Sequence, residues 1–258
     1  MLLMAVDIGN TNVVIGFIDD GRIAGTYRIT TKANHTSDEY GLMITQFLAL
    51  SGYKPADVDD VIISSVVPKV MHSFRASIVK FLDIDPMIVG PGIKTGLNIR
   101  MDNPQNMGAD CIADCAGAYY EYGGPILVAD FGTATTFNII SADNEFIGGV
   151  ISPGIKGSLD SLVNGTAKLP RVEIEAPKSI IAKNTVTNMQ AGLVFGFAGL
   201  VEYIVTRIKK ELKCADVKTI ATGGFSEIIS KEVSCIDVVD KLLTLDGLRY
   251  LYYLNRPE

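Results

Sequence analysis

The sequence predicts a mixed α/β protein made of two similar halves, and three observations support this prediction. Apolar runs of strand length alternate with segments of helical periodicity along the chain. An acidic residue and a glycine follow an apolar run twice, in Asp7-Ile8-Gly9-Asn10 and Asp130-Phe131-Gly132-Thr133. A later pattern also recurs, because residues 58–65 (VDDVIISS) resemble residues 217–224 (VKTIATGG). Such an internal duplication takes priority in predicting a fold.

In the first half, we expect three hairpin-linked strands followed by helices and further strands. Asp20-Gly21 is a typical hairpin turn, and Thr36 forms a capping box with Glu39 at a helix start. Apolar runs predict the strands, and apolar residues at helical spacing predict the helices. The predicted strands are 2–7, 13–19, 23–30, 61–67 and 87–89. Three helices are predicted: one begins near residue 36, and the other two span 70–82 and 111–120.

The second half opens in the same way. Its three strands are predicted at 125–129, 136–140 and 145–150, with a turn at Asp143-Asn144. A further strand is expected at 217–224, between helices at 188–212 and 244–255. The Gly123-Gly124 pair is the natural boundary, so we predict two α/β domains, 1–122 and 123–258.

Composition excludes several classes of protein. With 258 residues, 48% of them apolar, and a net charge of −6, the chain is expected to fold as one large or two small domains. Its 29 acidic and 23 basic residues lack the basic footprint of a nucleic-acid-binding protein. The four cysteines are too few for a disulfide framework and indicate a reducing, cytoplasmic location. The longest apolar stretch, 192–205, is shorter than a membrane helix needs, so no membrane partner is expected.

The two acidic-glycine turns are candidate phosphate-binding loops. Glycine lets the backbone approach a ligand closely, and successive backbone N–H groups form a concavity that attracts phosphate oxygens. Side chains of Asn10, Thr11, Thr133 and Thr135 add donors. One such turn alone is more often an ordinary tight turn, but two copies with matching flanks favour a function. Neither a P-loop nor a dinucleotide-binding motif is present in the sequence.

The acid in each turn implies a cation. A carboxylate repels phosphate unless a positive ion lies between them, and Mg²⁺ usually takes one or two carboxylates together with water and substrate phosphates. Asp7 and Asp130 are therefore candidate cation ligands, directly or through water.

Three further segments are candidate site elements. Residues 148–154 (GGVISPG) are expected to form a loop after the third strand of the second half, and Thr222-Gly223-Gly224 is expected to end a strand. Gly108-Ala109-Asp110 precedes a helix, where Asp110 is either a helix cap or a general base for a hydroxyl. Each segment alone has an ordinary structural interpretation.

Taken in order, these motifs resemble the type III pantothenate kinase family, a branch of the acetate and sugar kinase, actin and chaperone ATPase superfamily. The resemblance covers essentially the whole chain. The motifs that carry it are 7–12 (DIGNTN), 64–68 (SSVVP), Asn103-Pro104, 108–110 (GAD), 130–135 (DFGTAT), Gly148-Gly149, Pro153-Gly154 and 222–224 (TGG). The resemblance implies two duplicated ribonuclease-H-like domains with ATP between them. It also implies a cytoplasmic homodimer that phosphorylates pantothenate with ATP in the first step of coenzyme A synthesis.

The resemblance also implies roles for individual residues. Asp110 would accept the proton of the pantothenate hydroxyl, Asp7 would organise Mg²⁺, and Asp130 would bind a monovalent cation, K⁺ or NH₄⁺. The substrate would lie against Gly108, Ala109, Asp110, Cys111 and, from the other subunit, Thr185. The ATP phosphates would contact Val6, Asp7, Ile8, Gly9, Asn10, Thr11, Asn12, Val13, Gly132 and Thr133.

Two positions depart from the family pattern. Cys111 stands where the family typically has an arginine, and Met101 stands where it usually has a tyrosine. A thiol cannot replace the charge and forked donors of a guanidinium. Two alternatives therefore remain open: a non-catalytic nucleotide-binding regulator of the same fold, or a kinase for another small hydroxylated acid.

Overall fold

The computed structural model describes residues 1–256, which form two compact units. The first unit comprises Met1–Leu97, Asp102–Tyr120 and the residues from Leu243 onwards. The second comprises Asn98–Met101 and Glu121–Leu242. Each unit contains one β-sheet and several helices, so the predicted α/β class is confirmed.

The helices and strands follow the predicted order, with a few additions. The strands are β1 (Leu2–Ile8), β2 (Asn12–Asp19), β3 (Arg22–Thr30), β4 (Val58–Ser65), β5 (Met87–Ile88), β6 (Asn98–Ile99), β7 (Ile126–Phe131), β8 (Ala134–Ile140), β9 (Glu145–Pro153), β10 (Lys218–Thr222) and β11 (Val238–Val239). The helices are α1 (Ser37–Leu50), α2 (Pro68–Leu82), α3 (Ala109–Tyr122), α4 (Ile155–Asn164), α5 (Thr185–Glu211), α6 (Ser226–Ser230) and α7 (Leu243–Asn255). The elements β6, β11 and α4 were not predicted from the sequence, whereas α6 is the helix expected after residues 222–225.

The first sheet has the strand order β3-β2-β1-β4-β5. Antiparallel hairpins join β1, β2 and β3, whereas β1, β4 and β5 run parallel. Strand β1 lies at the centre and is almost completely buried, as its continuous apolar run predicted. Phe17, Tyr40 and Phe74 pack in the core with α1 and α2, and so hold the carboxyl end of β1 in a rigid setting.

The second sheet repeats this arrangement. Its order is β11-β10-β7-β8-β9-β6, so β9-β8-β7-β10-β11 corresponds strand by strand to β3-β2-β1-β4-β5. The hairpins joining β7, β8 and β9 are antiparallel and the β7–β10 pair is parallel, as in the first sheet. The duplication predicted from the two acidic-glycine turns is therefore confirmed, and β6 is an addition at one edge.

The last helix, α7, lies with the first unit although it is last in the chain. Leu248 and Leu251 on this helix are fully buried, and the Tyr252 hydroxyl donates a 2.8 Å hydrogen bond to Asp60 on β4. Gly247 allows α7 to cross α3 closely, because a Cβ at Gly247 would overlap the Ala113 carbonyl. The ranges 1–122 and 123–258, given above for the two duplicated domains, remain a prediction.

Two local expectations were wrong. Residues 148–153 are not a loop, because they continue β9 along its antiparallel pairing with β8. The apolar stretch around residues 192–205 is also not short of membrane length, because it belongs to the 27-residue α5. By length and composition alone α5 could cross a membrane. One face of α5, which includes Val194, Val201 and Val205, instead packs in the core of the second unit.

Candidate functional site

The first predicted phosphate loop is the tight connection between β1 and β2. The Gly9 N–H donates to the Asn12 carbonyl at 3.0 Å and closes the turn. Asn10 at its tip is exposed to solvent. A Cβ at Gly9 would lie 3.3 Å from the Asn12 carbonyl oxygen, so the loop is tight at this residue. The geometry is that of a rigid turn with its tip open to a ligand.

Asp7 lies at the carboxyl end of β1 and is mostly buried. The Ser64 hydroxyl, on the parallel strand β4, donates a 2.5 Å hydrogen bond to Asp7 Oδ1. Burial raises the pKa of Asp7 from its ordinary value of 3.8 to about 6; the Ser64 hydrogen bond opposes this shift, and the negative charge of Asp110 adds to it. A cation beside Asp7 would offset both the burial and the repulsion, so this carboxylate suits a cation ligand.

Asp110 lies in the first turn of α3. Its Oδ1 accepts a 2.8 Å hydrogen bond from the Cys111 N–H. It also lies against Gly108, where a Cβ would overlap Asp110 Oδ1 and would lie 3.6 Å from Val66 Cγ1. Asp110 is therefore the second residue of α3 and not the N-cap that the ordinary interpretation predicted, although its carboxylate still accepts a backbone N–H in the first turn. Its charge also acts on Asp7, and this brings together the two acids that the sequence analysis assigned to the first half.

The second predicted phosphate loop, between β7 and β8, is held by two glycines from distant segments. Gly223 has φ +87°, and a Cβ there would overlap Asp130 Oδ1 and lie 2.7 Å from the Phe131 backbone. Gly154 lies against the carbonyl oxygens of Gly132 and Thr133 so closely that a Cβ would overlap the latter. The three glycine-containing motifs of the second half therefore meet around Asp130 and Thr133.

The register of the sheets gives each acid the same kind of neighbour. Asp7 pairs with Ser64 across the parallel strands β1 and β4, and Asp130 pairs with Thr222 across β7 and β10. Both hydroxyl residues are buried. The sequence analysis gave no role to either hydroxyl; the signal that could have found them is the match between residues 58–65 and 217–224.

No group of three or more His, Cys, Asp or Glu side chains that could hold a metal ion lies within residues 1–256. Each half instead contributes one carboxylate at a glycine turn. Within either unit, a single carboxylate of this kind fits a cation whose remaining ligands are water and substrate phosphates, which is the usual environment of Mg²⁺ bound with a nucleotide.

Thr185 is the first residue of α5, and the Asn184 side chain caps that helix by accepting from the Thr187 N–H at 3.0 Å. Thr185 and Pro153 both line a mainly apolar groove of about 740 Å³ along α4 and α5. Pro153 directly precedes Gly154 in the chain. The structure thus places Thr185 on the same groove as the segment that packs on the second phosphate loop.

Arg100, which directly follows β6, is engaged in an ion pair with Glu145. Its guanidinium makes hydrogen bonds of 2.9 and 2.6 Å from Nε and Nη2 to Glu145 Oε1. The pair joins β6 to β9 at the edge of the second sheet. Cys111 itself is half-buried in the first turn of α3.

Comparison with known proteins places these features in one family. The family model described as type III pantothenate kinase matches residues 3–207. A relative from Bifidobacterium adolescentis, named type III pantothenate kinase, is 72% identical over 255 residues, which cover 99% of both chains. A relative of the same name from Bifidobacterium longum is 59% identical over 254 residues, covering 98% of this chain and 99% of the relative.

Solved structures show the same fold at low identity. The activator of the 2-hydroxyisocaproyl-CoA dehydratase from Clostridium difficile, with bound ADPNP, has a TM-score of 0.58 and 13% identity over 98% of this chain and 96% of that chain. A ROK family glucokinase from Streptomyces griseus, in complex with glucose and AMPPNP, has a TM-score of 0.52 and 14% identity over 99% of both chains. These similarities confirm the predicted two-domain fold of the actin-like ATPase and sugar kinase type.

Proposed function

The chain belongs to the type III pantothenate kinase family, and from that premise we propose how its residues carry out the reaction. It is a kinase that phosphorylates pantothenate with ATP and Mg²⁺ in coenzyme A biosynthesis. The observation that carries this assignment is the 72% identity over nearly the whole chain. The regulator and the kinase of another acid, the two alternatives left open by Cys111 and Met101, have no comparable support.

The ATP phosphates bind the two glycine turns. Residues 6–13 form the first of these sites, and Gly132 and Thr133 belong to the second. Asp7 organises Mg²⁺ directly or through water. The support is its burial beside a hydroxyl donor and a second acid, an arrangement that a cation would relieve. Bound Mg²⁺ neutralises charge on the transferred phosphoryl group.

Asp110 accepts the proton of the pantothenate hydroxyl as this oxygen attacks the γ-phosphorus. In phosphoryl transfer the protein mainly positions the reactants and stabilises charge, and an aspartate often takes this proton. The electrostatic effect of Asp110 on Asp7 supports this role, because a base must lie near the metal-bound phosphate. Gly108, Ala109 and Cys111 flank Asp110 and are proposed to line the pantothenate site.

The second unit supplies the monovalent-cation site at Asp130, for K⁺ or NH₄⁺. The support is that Gly132 and Gly223, which have no side chains, lie close against the carboxylate oxygens of Asp130. We further propose a cytoplasmic homodimer in which Thr185 contacts the substrate bound by the partner subunit. The position of Thr185 in the lining of the α4–α5 groove supports this arrangement.

The base assignment is tested with Asp110→Asn. We expect loss of phosphopantothenate formation by roughly a hundredfold or more, the usual contribution of a general base, with ATP binding retained. Asp143→Asn, which alters an exposed carboxylate in the turn between β8 and β9, is the control and should match wild type. Undiminished turnover in Asp110→Asn would remove Asp110 as the base, and absence of turnover in wild type would remove the proposed function itself.

A further inference from the structure

Four of the five carbonyl oxygens from residue 8 to residue 12, in and beside the first phosphate loop, accept hydrogen bonds from the protein. A loop whose acceptors are engaged presents less negative charge to a ligand. The four bonds are Val66 N to Ile8 O at 3.1 Å, Thr31 Oγ1 to Gly9 O at 2.6 Å, Thr31 N to Thr11 O at 3.0 Å and Gly9 N to Asn12 O at 3.0 Å.

Thr31 makes two of these four bonds. It is the first residue after β3 and is half-buried. Its hydroxyl reaches one side of the loop and its backbone N–H reaches the other, so a single residue holds the loop at Gly9 and at Thr11. The 2.6 Å length of the hydroxyl bond is that of a well-formed O–H···O interaction.

Because the peptide group is planar, the contact between Thr31 and the Gly9 carbonyl also fixes the direction of the Asn10 N–H. The Gly9 carbonyl and the Asn10 N–H belong to one planar trans peptide and point in opposite directions. Because Thr31 holds the Gly9 carbonyl on the protein side, the Asn10 N–H is directed away from Thr31, at the exposed tip of the loop. A donor fixed in this way suits a phosphate oxygen.

The second unit uses the same topological position against its own loop. Thr30 at the end of β3 pairs with Asn12, the first residue of β2. Pro153 at the end of β9 likewise pairs with Ala134, the first residue of β8. The residue that follows is Thr31 in the first unit and Gly154 in the second, and Gly154 lies against the carbonyls of the second loop. The position after the third strand therefore contacts a phosphate loop in both units.

We propose that Thr31 is a positioning residue for the ATP phosphates, acting through the backbone of the first loop rather than on the nucleotide itself. This proposal rests on the proposed function in one respect, the assignment of residues 6–13 to the ATP phosphates. The proposal concerns the hydroxyl of Thr31, because it is the donor that holds the carbonyl of the peptide that also carries the Asn10 N–H. The bond from the backbone N–H of Thr31 to Thr11 is independent of the side chain.

The test compares ATP and adenosine binding by the full chain in Thr31→Val, Thr31→Ser and Thr26→Val. Valine has the shape of threonine without the hydroxyl, serine retains the hydroxyl, and Thr26 is an exposed β3 residue that serves as a matched control. Loss of one hydrogen bond that leaves a carbonyl unsatisfied should raise the Kd for ATP by roughly tenfold in Thr31→Val. Adenosine affinity, and ATP affinity in the other two variants, should stay within about twofold of wild type.

The outcomes separate this proposal from the proposed function. An equal loss of ATP and adenosine affinity, unchanged ATP affinity in Thr31→Val, or equal loss in Thr31→Ser would overturn the role of the hydroxyl. Should Thr31→Val fail to fold, Thr31→Ala removes the same hydroxyl with less bulk beside Gly9. It is judged in the same way, by comparing its change in Kd for ATP with its change in Kd for adenosine. Because the readout is nucleotide binding, it does not depend on whether wild type phosphorylates pantothenate.

Discussion

At the scale of the residue, Asp7 illustrates how a binding site is maintained at a cost to stability. Its carboxylate is buried at the end of a central strand, and only one hydrogen bond, from Ser64, lowers its pKa. Burial and the nearby Asp110 raise that pKa to about 6. The charged form is therefore unfavourable in the protein without a cation, and binding Mg²⁺ would recover that free energy.

This imbalance gives a prediction for Asp7→Asn. A carboxyl whose folded-state pKa is raised from 3.8 to about 6 lowers the free energy of unfolding as pH rises through that interval, and the loss is complete above pH 6. Asparagine does not ionise and can still accept from Ser64. With Mg²⁺ removed by EDTA, the variant should be more stable than wild type at pH 8 by up to about 3 kcal/mol, and no more stable near pH 4.

Urea unfolding at the two pH values measures this difference, and phosphopantothenate formation by the same variant should be abolished. An equal stability difference at pH 4 and pH 8 would contradict the buried, ionised carboxylate.

At the scale of the element, the glycines at strand ends determine the second loop. Gly223 and Gly224 are neighbours after β10, yet only Gly223 has a positive φ and contacts Asp130. A Cβ at Gly224 would have no heavy atom within 4 Å. Substitutions at these two adjacent positions can therefore distinguish the effect of close packing against Asp130 from the effect of replacing any glycine in this segment.

We expect Gly223→Ala to lower the free energy of unfolding by roughly 2–4 kcal/mol, because it adds a strained φ to a steric overlap with Asp130. Displacement of Asp130 should also abolish the activation by K⁺ that the proposed monovalent-cation site predicts. Gly224→Ala should change the stability by less than about 0.5 kcal/mol. Thermal unfolding and a K⁺ titration of kinase activity measure both effects, and equal behaviour of the two variants would refute the packing argument.

At the scale of the whole molecule, the first unit is not continuous in the sequence. The last helix, α7, completes the core of the first unit through Leu245, Leu248, Leu251 and Tyr252, all of them buried. Burial of such side chains contributes roughly 1.5–3 kcal/mol each, and their sum is comparable to the whole stability of a domain. The first unit therefore depends on a segment that follows the second unit in the sequence.

A fragment of residues 1–122 should consequently lack a cooperative thermal transition. The same fragment joined through a flexible linker to residues 243–256 should regain one, as followed by circular dichroism. Leu251→Asp in the joined fragment serves as the control and should abolish the gain, because it places a charge in the core. A cooperative transition in residues 1–122 alone would show that α7 is dispensable.

Local patterns in the sequence were sufficient to predict the α/β class, the duplication and the position of both acids. These follow from local properties: apolar runs predict strands, Asp-Gly pairs predict turns, and Asp7 and Asp130 each follow a strand at a glycine turn. Extension of β9 through residue 153 was missed because Gly148 and Pro153 usually indicate a loop, whereas pairing with β8 overrides that preference.

The distant residues that contact these loops could not be predicted from local patterns and became known from the folded chain. The pairing of Asp7 with Ser64, the contact of Gly223 with Asp130, the two hydrogen bonds from Thr31 and the return of α7 to the first unit all join residues far apart in sequence. The physical reason is that local periodicity specifies which face of an element is buried. It does not specify the register of parallel strands or the crossing of helices, which depend on how the complete chain packs.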